Sequence, residues 1–383
     1  MRKIQQFVKK EVVLCVALVL AVLSSFLVRP DKEYAGYIDY RTLGILFCLM
    51  CVMSGLQEQG VFQWIAERLL AKVNRIGQIF MILVMLCFFF SMLITNDVAL
   101  ITFVPFTFTI GHLLGRETYE KMVFPVVVLQ TIAANLGSML TPIGNPQNLY
   151  LYGAAGLSLS EFVRIMLPYS LLSLILLVIC CLLLGKSFTE RRLKQAAAPV
   201  AGSKKAERWK IAGYGVLFLI CLMTVARVLP YWITLEITLA TVLILDRRVL
   251  KKVDYYLLLA FAGFFIFIGN MGRIPAFADA LRSFLETNEV WVAILSSQCI
   301  SNVPAALLLS GFTEQYRGLI IGTNLGGLGT LIASMASLIS YKYIAVEAGE
   351  EKLPGGKGCY FKLFTIANVI FLLLLIILYL IIG

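Results

Sequence analysis

Apolar runs long enough to cross a lipid bilayer recur along this chain and restrict the folds open to it. A transmembrane helix needs about 20 mainly apolar residues. Only 14% of the 383 residues are charged, whereas a soluble domain carries roughly 25% charged residues. The chain is therefore predicted to be an all-α polytopic membrane protein. Predicted spans lie near residues 12–28, 42–56, 122–153, 163–185, 211–228, 231–245, 254–270, 318–340 and 363–382.

Two further apolar stretches, 76–112 and 290–312, each carry a polar tip in the middle. The first tip holds Thr95, Asn96 and Asp97, and such groups are costly to bury in hydrocarbon. Polar backbone at membrane depth is tolerated where it is buried in protein or lines a watery cavity. Both stretches are therefore predicted to be re-entrant helical hairpins, which enter the membrane and turn back.

The formal net charge of +11 is explained by orientation in the membrane rather than by a nucleic-acid partner, which we do not predict. If the N-terminus is cytoplasmic and the hairpins are re-entrant, most of the 33 lysines and arginines lie on the cytoplasmic side, as the positive-inside rule requires. The polar stretch 186–210 is then a cytoplasmic linker. We expect an integral protein of a bacterial plasma (inner) membrane, with its first helix retained.

The two halves of the chain resemble each other in three places. The segment from Asp39, "DYRTLGILF", aligns with "DYYLLLAFA" from Asp254, "TNDVAL" parallels "SNVPAAL", and "ANLGSMLTPIGNPQNL" parallels "TNLGGLGTLIASMASL". The matches occur in the same order and predict repeats over 1–185 and 231–383. The connecting helix 211–228 supplies an odd crossing, so the repeats would have inverted topology, which is typical of alternating-access carriers.

The stretches 122–153 and 318–340 are predicted to be broken transmembrane helices. Each contains an Asn just before a Gly-rich segment, Asn135 and Asn324, and "TPIGNPQN" adds Pro142 and Pro146, which remove helical hydrogen bonds. Such breaks expose carbonyls that coordinate cations and helix N-termini that favour anions. Hard oxygen ligands suit sodium or a proton better than a soft metal.

Each polar group also has a plainer interpretation. An Asn in a transmembrane helix is often only an interhelical contact. Asp97 can bind a cation, carry a coupling proton, or pair with a distant Lys or Arg. Candidate sodium sites are Asn96, Asp97 and Asn135, and separately Asn302 and Asn324. No cofactor is predicted beyond a coupling sodium ion or proton.

Two other functional classes fit the sequence less well. The sequence shows no nucleophile–base set, phosphate loop or HExxH motif, so an enzyme is not predicted. A channel usually surrounds an axis with rings of carbonyls or charges, whereas two inverted hairpins with tips that meet midway favour a carrier.

The strings "TNDVALITFVPF", "ANLGSMLTPIGNPQNLYL" and "SNVPAALLL" resemble signatures of the ion transporter superfamily, over about residues 12 to 382. This group includes citrate and divalent-anion carriers, arsenite-pump membrane subunits and sodium–proton antiporters. The resemblance implies a homodimer in the bilayer, with a scaffold and a moving part in each protomer that works as an elevator. It implies an ion and substrate site at Thr95, Asn96, Ser301 and Asn302, with Asn135, Gly137, Thr141, Gly144, Asn145, Asn148, Asn324, Gly327 and Thr330; Asp97 is added from its position at the first tip.

The tips depart from the dicarboxylate carriers of that group, which have Ser-Asn-Thr at both. Here they read Thr-Asn-Asp and Ser-Asn-Val-Pro, and the first is closer to the arsenite-pump and sodium–proton side of the group. The predicted function is a secondary active transporter of a small ion, favouring an anion such as a carboxylate or oxyanion, coupled to sodium or protons. Arsenite efflux, sodium–proton antiport and an ion channel are the alternatives.

Overall fold

The computed structural model describes residues 11–73, 75–188, 207–286 and 288–382, and the regular secondary structure in these ranges is entirely helical. The all-α prediction is thus confirmed for the described residues. The first helices are α1 (Val12–Leu27), α2 (Tyr34–Tyr37), α3 (Tyr40–Glu58), α4 (Val61–Leu70), α5 (Ile76–Ser91), α6 (Asn96–Leu113), α7 (Arg116–Ser138), α8 (Pro146–Ala154) and α9 (Leu159–Lys186). The others are α10 (Arg208–Val225), α11 (Tyr231–Leu245), α12 (Tyr255–Gly272), α13 (Pro275–Leu285), α14 (Glu289–Ile300), α15 (Asn302–Ser310), α16 (Tyr316–Leu325), α17 (Met335–Glu350) and α18 (Gly356–Ile382). Short 3-10 turns cover Pro142–Gly144 and Arg247–Lys252.

Six of the described helices are long and apolar enough to cross a membrane: α3, α7, α9, α10, α12 and α18. Helices α1, α5, α11 and α14 are apolar but shorter. The remaining apolar stretches are divided by breaks into separate helices, and without the breaks they would be long enough to cross a membrane.

Matching caps start α3 and α12. The Asp39 carboxylate accepts the Thr42 amide at 3.0 Å, and the Asp254 carboxylate accepts the Leu257 amide at 3.0 Å. Asp at the N-cap satisfies one of the free amides of a first helical turn. The two caps have nearly the same backbone angles, φ −79° and ψ 83° at Asp39 and φ −79° and ψ 80° at Asp254.

The helices fall into two packed groups. The five-helix group consists of α1, α3, α10, α11 and α12, and the ten-helix group consists of α5–α9 and α14–α18. The amphipathic helix α4 joins α3 to α5, and α13 joins α12 to α14, so each leads from the five-helix group to the ten-helix group. Direct packing between the groups is mainly α12 on α15 and α3 on α8.

Helix α7 lies in the centre of the ten-helix group, and nearly all residues of its last four turns are buried. It contacts α5, α6, α9, α17 and α18. Burying an apolar side chain contributes about 1.5–3 kcal/mol, so the many buried side chains of α7 hold this helix in place. The polar groups at its C-terminal end are positioned by that packing.

Some boundaries differ from the predicted ones. The second broken stretch stops at Leu325, resumes at Met335 and runs to Glu350 rather than ending near 340. The predicted linker 186–210 starts where α9 ends, and its residues 189–206 lie outside the described residues, as do residues 1–10 of the first predicted repeat.

Candidate functional site

The two polar tips have the same unusual backbone. Thr95, between α5 and α6, has φ 61° and ψ 148°, and Ser301, between α14 and α15, has φ 75° and ψ 153°. This region is close to one that glycine occupies almost alone, and it costs a side-chain-bearing residue about 1–3 kcal/mol. Such a conformation persists only when surrounding contacts impose it.

Part of that constraint comes from the helix breaks. The Thr141 hydroxyl donates to the Met92 carbonyl at 2.5 Å, and the Thr330 hydroxyl donates to the Gln298 carbonyl at 3.1 Å. Each carbonyl belongs to the residue three positions before the tip. In both halves, therefore, the Thr that follows the broken helix donates a hydrogen bond to the end of the first hairpin helix.

Glycines allow the close approach of these elements. A Cβ at Gly137 would lie 2.6 Å from the Ser91 Oγ and 2.0 Å from the Phe88 carbonyl oxygen, and a Cβ at Gly326 would lie 2.7 Å from the Ser297 Oγ. Because real Cβ atoms do not come this close, both positions need glycine for the hairpin to seat on the break.

Asn135, at the end of α7, is the centre of a buried hydrogen-bond network. Its Oδ1 accepts from the Asn96 Nδ2 at 3.0 Å and from the Ser334 Oγ at 2.9 Å. Its Nδ2 donates to the Gly327 carbonyl at 3.4 Å. One side chain thus connects the first tip, its own helix and the break in the second half.

A second network surrounds Asn148. Its Nδ2 donates to the carbonyls of Ser138 and Thr141 at 3.3 and 3.4 Å, and its Oδ1 accepts from the Asn324 Nδ2 at 2.7 Å. The Asn145 Nδ2 donates to the Ser138 Oγ at 2.7 Å. These bonds hold the first break in shape and link it to α16. Within the break, the Gly144 amide donates to the Thr141 hydroxyl at 3.1 Å.

A small cavity lies where the tips and breaks meet. It offers about 10 Å³ to water centres, which is about what one water molecule needs. Its walls come from the caps and first turns of four helices of the ten-helix group, α6, α8, α15 and α17, and from Leu257 of α12 in the five-helix group. The lining residues are Asn96, Asp97, Asn145, Pro146, Gln147, Leu257, Asn302, Val303, Ser334 and Met335.

The structure therefore divides the predicted site residues into two sets. Four line the cavity: Asn96, Asp97, Asn145 and Asn302. The rest support it or lie around it: Thr95, Asn135, Gly137, Thr141, Gly144, Asn148, Ser301, Asn324, Gly327 and Thr330. Of these, Thr330 is exposed, and both its amide and its hydroxyl are bound to Gln298.

Two polar lining residues were not predicted. Ser334 is the counterpart of Asn145 in the repeat alignment, and both cap a half-helix with nearly equal angles, φ −143° and ψ 140° against φ −143° and ψ 144°. The alignment of "ANLGSMLTPIGNPQNL" with "TNLGGLGTLIASMASL" already pairs Ser334 with Asn145, so the sequence contained the signal for this residue. Gln147 lies inside the motif "TPIGNPQN", and no sequence signal separates it from its neighbours.

Several buried polar atoms in and near the cavity have no hydrogen-bond partner among the residues that the structure describes. They are the Oδ1 of Asp97, both amide atoms of Gln147 and the Oδ1 of Asn324. Among the ion pairs formed by the described residues, none includes Asp97. An unsatisfied buried polar group costs about 1–3 kcal/mol, so these atoms are free to serve a ligand.

The sequence matches the family described as "Citrate transporter" (CitMHS) over residues 3–315. The chain belongs to this family. Together with the apolar helices, membership in CitMHS establishes an integral membrane protein and a transporter.

Two relatives of this CitMHS protein cover most of its length, and a third covers less than half. An inner membrane protein of Escherichia coli strain K12 is 32% identical over 327 residues, 84% of this chain and 84% of the relative. An uncharacterized transporter of Methanocaldococcus jannaschii is 32% identical over 330 residues, 85% of this chain and 87% of the relative. A putative transporter of Dictyostelium discoideum, arsB, is 29% identical over 161 residues, 42% of this chain and 27% of the relative.

Proposed function

We propose that this CitMHS protein is a secondary active transporter of a small anion, a carboxylate or an oxyanion, coupled to sodium or protons. The observation that carries the proposal is the convergence of four helix N-termini on a cavity to whose lining the described residues contribute no Lys or Arg.

The charge balance at the cavity supports an anion. A helix N-terminus carries about half a positive elementary charge, so four contribute about +2. Asp97 in its ionised form reduces this to about +1, and the cavity stays positive. Backbone amides at such termini are donors to anionic oxygens, although the Asp97 and Asn302 amides already donate to the Asn96 Oδ1 and to the Ala333 carbonyl.

Asp97 is the group we assign to the coupling ion. Its Oδ1 has no hydrogen-bond partner, and it lines the same cavity as Asn96 and Asn302. A proton or a sodium ion on this carboxylate would neutralise it and favour entry of an anion. The second half has Val303 at the matching position, so we assign this charge to the first half alone.

Transport by an elevator motion of two inverted repeats is part of the proposal. The repeats are supported by the matching tip angles, the Thr141 and Thr330 hydrogen bonds and the matching caps of α3 and α12. The motion is supported by the two helix groups, with the cavity in the ten-helix group closed by Leu257 of the other. We assign the scaffold role to the five-helix group and the moving role to the ten-helix group.

A second candidate function is exchange of sodium for protons at the same site. The partnerless carboxylate of Asp97 favours it, since cation exchange needs a carboxylate that binds either ion. In that case the helix N-termini would serve only to balance the charge of Asp97.

We further propose residence in a bacterial inner membrane with a cytoplasmic N-terminus, as a homodimer. A cysteine placed near Lys204 is expected to react with an impermeant thiol reagent only from the cytoplasmic side, and a cysteine near Arg282 only from the other. Cross-linking in native membranes is expected to give a dimer.

The test is uptake into liposomes that contain the purified protein. Radiolabelled citrate, succinate, sulfate, arsenite and sodium are offered one at a time, with pH and sodium gradients imposed separately. We expect gradient-driven uptake of one of the anions, and we expect Asp97→Asn to abolish its dependence on the gradient.

The variant Asp246→Asn is a matched control. Asp246 caps the turn Arg247–Lys252 through an exposed hydrogen bond from the Arg248 amide, and it does not line the cavity. Uptake of sodium alone, driven by a pH gradient, would replace the proposal with the second candidate. Unitary currents in a planar bilayer would overturn both.

A further inference from the structure

Gln147 is a buried side chain with two unsatisfied polar atoms. It is fully buried in the first turn of α8, yet neither its Nε2 nor its Oε1 has a hydrogen-bond partner. The side chain lines the same cavity as Asp97 and Asn302.

Gln130 shows what a structural glutamine looks like in this protein. It is equally buried, at 0% exposure for both. Its Nε2 donates to the carbonyls of Leu83 and Phe103 at 3.2 and 3.4 Å, and its Oε1 accepts from the Thr107 hydroxyl at 2.9 Å. A glutamine that stabilises the fold is satisfied by the fold, and Gln147 is not.

We infer that Gln147 contacts the transported ion directly and recognises an oxygen group that both accepts and donates a hydrogen bond. This inference rests on the proposed function and adds a residue and a ligand chemistry to it. An amide offers two donors and an acceptor, so its complement is a hydroxyl or a protonated carboxyl rather than a bare metal cation.

The neighbouring groups fit the same ligand chemistry. The partnerless Oδ1 of Asp97 accepts from an O–H, and the helix N-termini donate to the ligand's remaining oxygens. The cavity has room for about one water molecule, which matches one hydroxyl or one carboxyl oxygen. A hydroxyl-bearing oxyacid or a carboxylic acid in its partly protonated form carries an oxygen group of this kind.

Thermal stability in detergent without ligand separates a ligand contact from a structural one. Gln147→Met keeps the shape and removes the amide, so its Tm is expected to equal or exceed that of the wild type, since an unsatisfied buried group is removed. Gln130→Met is the matched control and is expected to lose several degrees, because it removes three buried hydrogen bonds, to Leu83, Phe103 and Thr107. An equal loss in Gln147→Met would overturn the inference.

Uptake then tests the recognition. For whichever of radiolabelled citrate, sulfate and arsenite the wild type takes up, Gln147→Met is expected to raise KM at least tenfold. If that probe is citrate, which gains a proton between pH 7.5 and pH 5.5, lowering the pH over this range is expected to lower the wild-type KM. An unchanged KM in Gln147→Met would overturn the inference.

A third measurement needs no known substrate. In a background with Cys299 and Cys359, the two exposed cysteines, replaced by Ser, Gln147→Cys is expected to react with methyl methanethiosulfonate, and Gln130→Cys is not. Failure of Gln147→Cys to react would show that ions do not reach this position. If the wild type takes up none of the probes, the proposed function fails, while stability and labelling still decide whether Gln147 faces a ligand.

Discussion

Thr95 and Ser301 share one rare backbone conformation at equivalent positions of the two halves, with φ of 61° and 75° and ψ of 148° and 153°. Neither is glycine, although glycine would adopt this conformation without strain. The strain is held in place by hydrogen bonds from Thr141 and Thr330 to the preceding helix ends. Such strained positions cluster at ligand sites and switches, and here both lie beside the residues that line the cavity.

Relief of this strain should stabilise the protein. Thr95→Gly is expected to be more stable than Thr95→Ala by about 1 kcal/mol, since only the alanine keeps the penalty for positive φ. The same order is expected for Ser301→Gly and Ser301→Ala. Thermal unfolding in detergent checks this, with the helical position Ala99 as control.

At Ala99, in α6, the order is expected to be reversed, because glycine in a helix interior costs about 1 kcal/mol relative to alanine. If alanine is the more stable residue at Thr95 and Ser301 too, the two tips are not strained.

Removal of the Thr141 hydroxyl should destabilise the first hairpin. Thr141→Val leaves the Met92 carbonyl without this donor, and the Gly144 amide keeps only its bond to the Thr141 carbonyl. An unsatisfied buried group costs about 1–3 kcal/mol. Thr141→Ser keeps the hydroxyl and is expected to retain most of the stability. Hydrogen exchange measured on residues 86–100 reports the loosening.

Thr330→Val serves as the comparison, since Thr330 is exposed whereas Thr141 is partly buried. Its loss of stability is expected to be smaller. Equal losses at the two positions would show that burial does not distinguish the two halves.

The sequence was sufficient to predict the helices, because long apolar runs act locally. It also predicted the groups of polar residues at the breaks, because Pro and Gly in "TPIGNPQN" act locally too. It also identified Asn96 and Asn302 at the tips, since isolated polar residues in apolar stretches stand out. The roles within the site were not predictable. Whether Asn135 supports the cavity while Asn145 lines it depends on which side of a break each side chain lies, and that is decided by tertiary packing. The extension of α17 to Glu350 was missed because its last turns are polar.

A surface ion pair beside α12 should make stability depend on pH. The Arg273 guanidinium donates to the Asp31 carboxylate at 2.6 Å and lowers the pKa of Asp31 below its ordinary value. A lowered pKa contributes stability that is present at neutral pH and is lost as the pH falls through that pKa. The Tm of Arg273→Gln is thus expected to lie below that of the wild type at pH 7, with a gap that narrows below about pH 4.

Arg282→Gln is the control for that experiment, because Arg282 and its partner Asp279 are exposed and 3.8 Å apart. It is expected to change the Tm little at either pH. A gap for Arg273→Gln that stays constant between pH 7 and pH 3 would show that Asp31 does not carry the effect.

The hydrogen bond from Asn96 to Asn135 should couple the first tip to the broken helix energetically. Asn135→Ala removes three hydrogen bonds, and Asn96→Ala removes one of these three. Asn135→Ala is therefore expected to lower the free energy of unfolding by about 2–4 kcal/mol, and Asn96→Ala by about 1–2 kcal/mol. In a double-mutant cycle the coupling energy is expected to be about 0.5–3 kcal/mol, measured by denaturant unfolding in detergent.

The pair Asn96 and Asn368 is the control, because Asn368 is buried in α18 and bonds its own helix at Phe364. Coupling of that pair is expected to be near zero, and equal coupling in both cycles would mean that Asn96 acts on global stability rather than through Asn135.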